Sequence, residues 1–309
     1  MALFTPIPYN TKIDFVRQRF FSIGISIFVS VASIVGLFTH GLNYGVDFKG
    51  GYLLEIRTPE PVDLDALRTT LSALNLGDVK LQEAGSSQDI MIRMENRDTD
   101  TGQKNETIDK VKAALGDKVE YRRVETVGAK VSESLKKNGI YAVVFSLLAM
   151  LVYIWFRYEW QYGVCGIMAL VHDCITVLGF YVLTGMEFNE TAIIAILTTA
   201  GYSINDTVVI YDRIRENVRK FKKMGMMDLI NQSVNDTLSR TVLTSSTTLI
   251  ALFALYWFGG QVIELFTLPM IVGIAVGTYS SIFVSSVLLV YLTPPRGDDI
   301  VQASVEKTS

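Results

Sequence analysis

Gly201-Tyr202-Ser203-Ile204-Asn205-Asp206-Thr207 lies inside a run, Thr191 to Ile210, that is otherwise Ile, Ala, Leu, Val and Thr. A run of this length and composition is suited to crossing a bilayer, which takes roughly 20 residues. A carboxylate at that depth costs about 2.5–3.5 kcal/mol on insertion scales, so it is kept only if something is gained. Arg240, at the head of the next apolar run, is its natural partner.

Working outward, five more apolar runs have the same character: Phe20–Phe38, Ile140–Phe156, Tyr162–Thr184, Thr241–Phe258 and Leu265–Leu292. Half of the 309 residues are hydrophobic, which points to the membrane. The net charge of −3 and the lack of a free-standing basic run give no support to nucleic-acid binding. Cys165 and Cys174 share the third span, nine positions apart on one helix, far outside disulfide reach. Phe20–Phe38 follows Lys12, Arg17 and Arg19, but its apolar stretch is longer than a signal peptide's, and no small-x-small pattern follows Thr39-His40-Gly41. It reads as an uncleaved signal anchor.

Positive charge sets the orientation. Lys12, Arg17 and Arg19 precede the first span, Arg157 lies between the second and third, Arg213 to Lys223 follow the fourth, and Arg296 follows the sixth. Six spans put all four segments on one side, expected to be the cytoplasm. The connections Gly185–Glu190 and Gly259–Glu264 are acidic or neutral. The expected organisation is therefore 1–44 for the cytoplasmic N-terminus and first helix, 45–128 for a domain outside, 129–292 for helices two to six, and 293–309 for a cytoplasmic tail. Ala129–Gly139 is a basic lead-in to the second span. Tyr211–Leu238 (segment 211–238) reads as a charged amphipathic helix at the cytoplasmic surface.

The outside segment reads as strand Gly51–Thr58, helix Val62–Leu76, strand Val79–Ala84, strand Asp89–Glu95, helix Lys104–Leu115 and strand Val119–Val127. Ile90, Ile92 and Met94 alternate with Met91, Arg93 and Glu95, as a half-buried strand requires. Leu64, Leu67 and Leu71 recur at helical spacing, behind Asp63 and Asp65 in the first turn. The polar Glu95–Gln103 reads as a connector. The βαββαβ order is that of a ferredoxin-like split βαβ domain. It carries no phosphate loop, no clustered metal ligands and no nucleophile with a partner base, so binding or mechanical coupling is its expected work. No metal or other cofactor is expected anywhere.

Within the membrane, Thr199, Ser203 and Asp206 share a helical face, as do Arg240, Thr244 and Thr247. If the two stripes face each other they line a wetted path on which Asp206 gains and loses a proton. The alternatives are a permanent ion pair that orients helices, or an Arg240 that snorkels to the interface. His172 and Asp173 sit mid-span but point about 100° apart. Asp173 is the expected inward member, near Thr176, serving in a relay or in helix–helix hydrogen bonding. Ser22, Ser26, Ser30 and Ser33, and the Gly273/Gly277 pair, mark close helix seams.

Taken together, Val46-Asp47-Phe48-Lys49-Gly50-Gly51, Val171-His172-Asp173, the fourth-span stretch Gly201 to Val209, Asp212-Arg213-Ile214-Arg215-Glu216-Asn217 and Ser239-Arg240-Thr241 resemble the SecF family. These are the membrane subunits of the bacterial SecD–SecF protein-export complex, within the RND-like superfamily. The resemblance implies an α-helical membrane protein of the bacterial inner membrane, with six transmembrane helices and a periplasmic α+β ferredoxin-like domain between helices 1 and 2. It implies SecD as heterodimer partner, the SecYEG channel with accessory membrane subunits, a translocating preprotein, and protons. Asp206 and Arg240 then match positions linked to proton transport. His172, Asp173, Thr199, Ser203, Asn205 and Thr244 become relay or helix-contact candidates, and Asp47, Phe48, Gly50 and Gly51 a loop or hinge motif. A proton crossing 100 mV releases about 2.3 kcal/mol, enough for a few to bias a domain between two states. The function implied is non-enzymatic: proton-motive-force assistance of late preprotein translocation. A passive scaffold for SecD is the alternative, and an intramembrane aspartyl protease using Asp173 and Asp206 a remote one, since Gly-x-Gly-Asp is missing.

Overall fold

The computed structural model describes residues 11–61, 63–74, 79–83, 86, 88–94, 104–116 and 119–294. The connector Glu95–Gln103 and most of the tail expected at 293–309 lie outside the described residues. The chain forms two compact units. One comprises the segment up to Leu42, Val143–Met186 and the chain from Ala192 on; the other comprises Asn43–Ala142 and Glu187–Thr191.

Helix α1 (Arg19–Thr39) is followed by a short helix, α2 (Val46–Lys49), and then by β1 (Gly51–Arg57), α3 (Leu64–Ser72), β2 (Val79–Glu83), β3 (Asp89–Met94), α4 (Lys104–Leu115) and β4 (Glu120–Val127). The sheet runs β2-β3-β1-β4 with every neighbouring pair antiparallel. That is the expected ferredoxin-like arrangement. Alternation decides which face is covered by the two helices: Tyr52, Leu54 and Ile56 of β1 meet Ile90, Ile92 and Met94 of β3 and pack with Leu71 and Val111. Burying each of these large apolar side chains contributes about 1.5–3 kcal/mol. α3 starts at Leu64, with Asp63 accepting the Asp65 backbone N–H at 2.9 Å as its N-cap rather than lying within the expected first turn.

Gly50 and Gly51 turn the chain from α2 into β1 with φ of +75° and +137°. A Cβ at Gly50 would also sit 3.3 Å from Ser132 Oγ and 3.4 Å from the Val127 carbonyl oxygen. The dihedral strains any side chain there, and the space leaves it only a tight fit.

Asp89, at the start of β3, is nearly enclosed and pairs with Arg57 at 2.9 Å and Arg122 at 3.2 Å, while Ser86 donates to it at 2.8 Å. Burial pushes its carboxyl up, but Ser86, Arg57 and Arg122 outweigh that and hold it below the usual carboxylate range. Its contribution to stability is therefore complete above about pH 4 and is lost as pH falls through the depressed value. Amide exchange across 51–127 should accelerate over that acid interval, and Asp89→Asn should flatten the dependence. An unchanged acid profile in the variant would show that other groups set it.

The chain continues with α5 (Ala129–Arg157), α6 (Trp160–Thr184), α7 (Glu190–Lys220), α8 (Met226–Phe258) and α9 (Gln261–Ser280), then a π turn (Ser281–Ser285) and α10 (Ser286–Leu292). Among the described residues six helices are long and apolar enough to cross a membrane, as expected from the sequence. Two boundaries differ from expectation. Ala129–Gly139 is no separate lead-in but the first part of one continuous α5. The segment expected as one surface helix, 211–238, is instead the end of α7 and the beginning of α8, broken at Phe221–Gly225. Arg219 and Lys220 in the last turn of α7 favour its C-terminal dipole. Gly225 at the head of α8 adopts the extended conformation of an N-cap.

The other charged-motif residues tie this end together. Asp212 accepts from Arg157 and from the Tyr158 hydroxyl, each at 2.8 Å. Arg213 bonds Asp236 and Glu216, and buried Asn217 donates to Ser233 at 2.9 Å. Upstream of α1, the backbone N–H groups of Ile13 and Phe15 donate to Asn235 and Asn231 on α8, and Asn235 returns a bond to the Ile13 carbonyl. α1 then lies along α6 and reaches α9: Tyr279 donates to the Ser22 carbonyl at 2.9 Å, and a Cβ at Gly179 would overlap Ser33.

Candidate functional site

Asp206 is 2% exposed. Its Oδ2 accepts a hydrogen bond of 3.4 Å from Ser245 of α8, whose hydroxyl lies 2.7 Å from Thr278 of α9. Arg240 does not close on it: the arginine is exposed, and no ion pair joins the two among the described residues. The polar face that α8 turns inward is Thr241, Ser245 and Thr248, with Thr247 exposed and Thr244 half-buried and bonded back to the Arg240 carbonyl. The expected Arg240–Thr244–Thr247 stripe is thus about one position out of phase. Ser245-Ser246-Thr247-Thr248 puts a hydroxyl on every face of the helix, so periodicity alone could not choose among them.

One turn before Asp206, Ser203 donates to Asp173 Oδ2 at 2.6 Å, and Ser280 donates to the same oxygen at 2.7 Å. Asp173 Oδ1 lies 3.0 Å from His172 Nδ1. Both His172 and Asp173 are buried. The expectation that only Asp173 turns inward gives way to two neighbouring side chains bent toward each other. This carboxylate joins α6, α7 and α9 at one point. Asp173 and Asp206 have separate hydroxyl partners and no direct hydrogen bond between them among the described residues. A shared-proton dyad is therefore not formed.

Close packing makes these short bonds feasible. A Cβ at Gly273 would overlap Thr199, and one at Gly277 would come within 2.8 Å of Ser203 Cβ. Thr199 is buried and bonds back to the Ile196 carbonyl, whereas Asn205 is exposed. The seam continues through Thr207 with Ser281 at 2.9 Å and Tyr211 with Ser285 at 2.5 Å. Ser281 to Ser285 is the π turn, and such turns often occur at functional positions in helices. Ser245, Ser280, Ser281 and Ser285 were not singled out from sequence, because serine in an apolar helix is usually a packing residue.

The other motif, Asp47-Phe48-Lys49-Gly50-Gly51, lies in the ferredoxin-like unit. Phe48 packs with Tyr44 and Phe188 at ring-centroid distances of 6.3 and 5.8 Å, and Asp47 accepts the Glu190 backbone N–H at 3.2 Å.

Residues 107–294 match the family model for the protein export membrane protein SecD/SecF, C-terminal, and residues 35–61 match the SecD/SecF GG motif. The chain belongs to the SecD/SecF family. Within it, the protein translocase subunit SecF of Desulfurispirillum indicum is 43% identical over 289 residues, covering 91% of this chain and 92% of the relative. The SecF subunit of Rickettsia felis is 44% identical and covers 92% of each. The crystal structure of SecDF from Thermus thermophilus, described as a translocon-associated membrane protein, superposes with a TM-score of 0.84 at 33% identity. It covers 92% of this chain, which in turn spans 39% of the SecDF chain. A second SecDF crystal structure, in a super-membrane-facing form, matches with a TM-score of 0.67 at 31% identity. The SecD/SecF relationship makes this chain a non-enzymatic, multi-pass translocase component, and the GG-motif match falls on the positive-φ glycine pair.

Proposed function

We propose that this chain works as a SecF-type subunit which, paired with SecD, uses proton flow to assist late preprotein translocation through SecYEG. The observation that carries the reading is Asp206: a carboxylate 2% exposed in a membrane-spanning helix, held by one long hydroxyl hydrogen bond and no ion pair among the described residues. A permanently charged group in that setting is expensive. A group that takes up and releases a proton is suited to it. Arg240, exposed midway along α8, supplies a positive field rather than a fixed partner. The orientation proposed is that of the bacterial inner membrane, with both termini cytoplasmic and 45–128 periplasmic, in keeping with the distribution of Lys and Arg.

The test uses membranes carrying the chain with its SecD partner, and measures export with and without an imposed proton gradient. Arg240→Met should reduce the gradient-dependent part about tenfold, the loss expected when a nearby charge worth roughly 1–2 kcal/mol is removed. Arg240→Lys should retain much of it. If both variants export normally, Arg240 serves only the interface. The scaffold reading draws on Asp173, whose saturated hydrogen bonds need no proton exchange, and it predicts that Asp206 is replaceable.

A further inference from the structure

The start of α7 belongs to the ferredoxin-like unit: residues 187–191 pack with 43–142 and the helix then continues into the helical unit. Two side-chain polar contacts hold that segment. Arg93 of β3 forms an ion pair with Glu187, the two side chains being 11% and 10% exposed. The Glu187 carboxylate also occupies the space that a Cβ at Gly45 would need. Asp47 of the glycine-pair motif accepts the Glu190 N–H, one of the unsatisfied donors at the head of α7. Around them, Phe188 donates its N–H to the Asn43 carbonyl at 2.8 Å, and its own carbonyl accepts the Gly45 N–H at 2.9 Å. Tyr44 and Phe188 thereby form a parallel bridge.

We propose that Asp47, Arg93 and Glu187 form a latch fastening the ferredoxin-like domain to the head of α7, so that this domain moves with the helix that carries Asp206. The inference rests on the proton-driven reading for its functional half. The physical argument is one of specificity. Arg93 lies on the sheet face opposite the α3/α4 core, in register with Leu53 of β1, where an apolar side chain would bury as well. A buried ion pair adds little stability over such a replacement, but it fixes which groups must meet. Asp47 adds the helix-capping bond from the same motif whose glycines turn into β1. One short segment thus ties α2, β3 and the first turn of α7. Sixteen positions after Glu190, about 24 Å along the helix at 1.5 Å per residue, comes Asp206.

The experiment uses the full chain with its SecD partner in membranes, with two readouts: amide exchange over 187–191 and gradient-dependent export. Arg93→Gln should speed exchange of these amides at least about tenfold, because removing one member of a buried pair leaves the other uncompensated. Export with the gradient should fall at least about fivefold, with gradient-independent export unchanged, the mark of lost coupling rather than lost assembly. The double swap Arg93→Glu with Glu187→Arg should recover both readouts. So should Tyr44→Cys with Phe188→Cys added to Arg93→Gln, since bridged backbones stand within disulfide reach, and reduction should reverse that recovery. Unchanged exchange in Arg93→Gln overturns the latch. Faster exchange with normal export overturns its coupling role, as does a disulfide that restores protection and leaves export low. If even the unmodified chain shows no gradient-dependent export, the proton-driven reading fails, and the fastening is judged on exchange alone.

Discussion

Asp206→Asn should give a chain that inserts, assembles with SecD and no longer speeds export when a proton gradient is imposed. Asparagine has the shape of aspartate and can still accept from Ser245, but it cannot take up or release a proton. It also removes the cost of a charge at that depth, so stability should hold or rise. The expected loss is therefore confined to one quantity. The gradient-dependent increment should fall to background, more than about tenfold, if Asp206 is the group through which protonation acts. Export without a gradient and the amount of chain bound to SecD should match the unmodified protein. A normal increment in Asp206→Asn sinks the proton role and leaves the scaffold.

The second large effect is on stability. Asp173→Ala removes the acceptor shared by Ser203 and Ser280 and the partner of His172. Three buried groups on α6, α7 and α9 then lose their bonds together. Hydrogen bonds to a charged group contribute about 1.5–3 kcal/mol each, and deleting one side of a buried pair costs about 3–5 kcal/mol. A loss of about 3 kcal/mol, seen as a lower unfolding midpoint in detergent, is expected. Asp173→Asn retains an oxygen acceptor and should lose far less. Export separates the two roles of Asp173: if it clamps helices, the Asn variant exports normally, whereas a relay carboxylate would fail in Asn as fully as in Ala.

Much of the architecture was legible because the forces behind it are local or periodic. Six apolar runs announced six helices, and Ile90, Ile92 and Met94 announced a strand with one covered face. The continuity of α7 to Lys220 was not legible, since a charged extension and a separate surface helix share one pattern. The inward register of α8 was hidden by four successive hydroxyl residues. The π turn at Ser281–Ser285 has the same composition as the helix around it. Arg93 and Glu187 stand 94 positions apart, and no local spacing marks two residues that only the folded chain brings together. Asp206 itself was visible at once, because a carboxylate in an apolar run is costly wherever the rest of the chain goes. What surrounds it was visible only in three dimensions.

The segment at Ile13 and Phe15 is pinned by Asn231 and Asn235, more than 200 residues later. α1 likewise meets its tyrosine partner, Tyr279, only near the end of the chain. As the protein emerges from the ribosome, its first helix can pack by Ser33 on the third span, but its Ser22 and Ser26 end must wait for the sixth. A chain cut short before α8 would leave the segment at Ile13 and Phe15 unpinned and Ser22 and Ser26 without Tyr279. Completion of synthesis is in this sense recorded at the N-terminus.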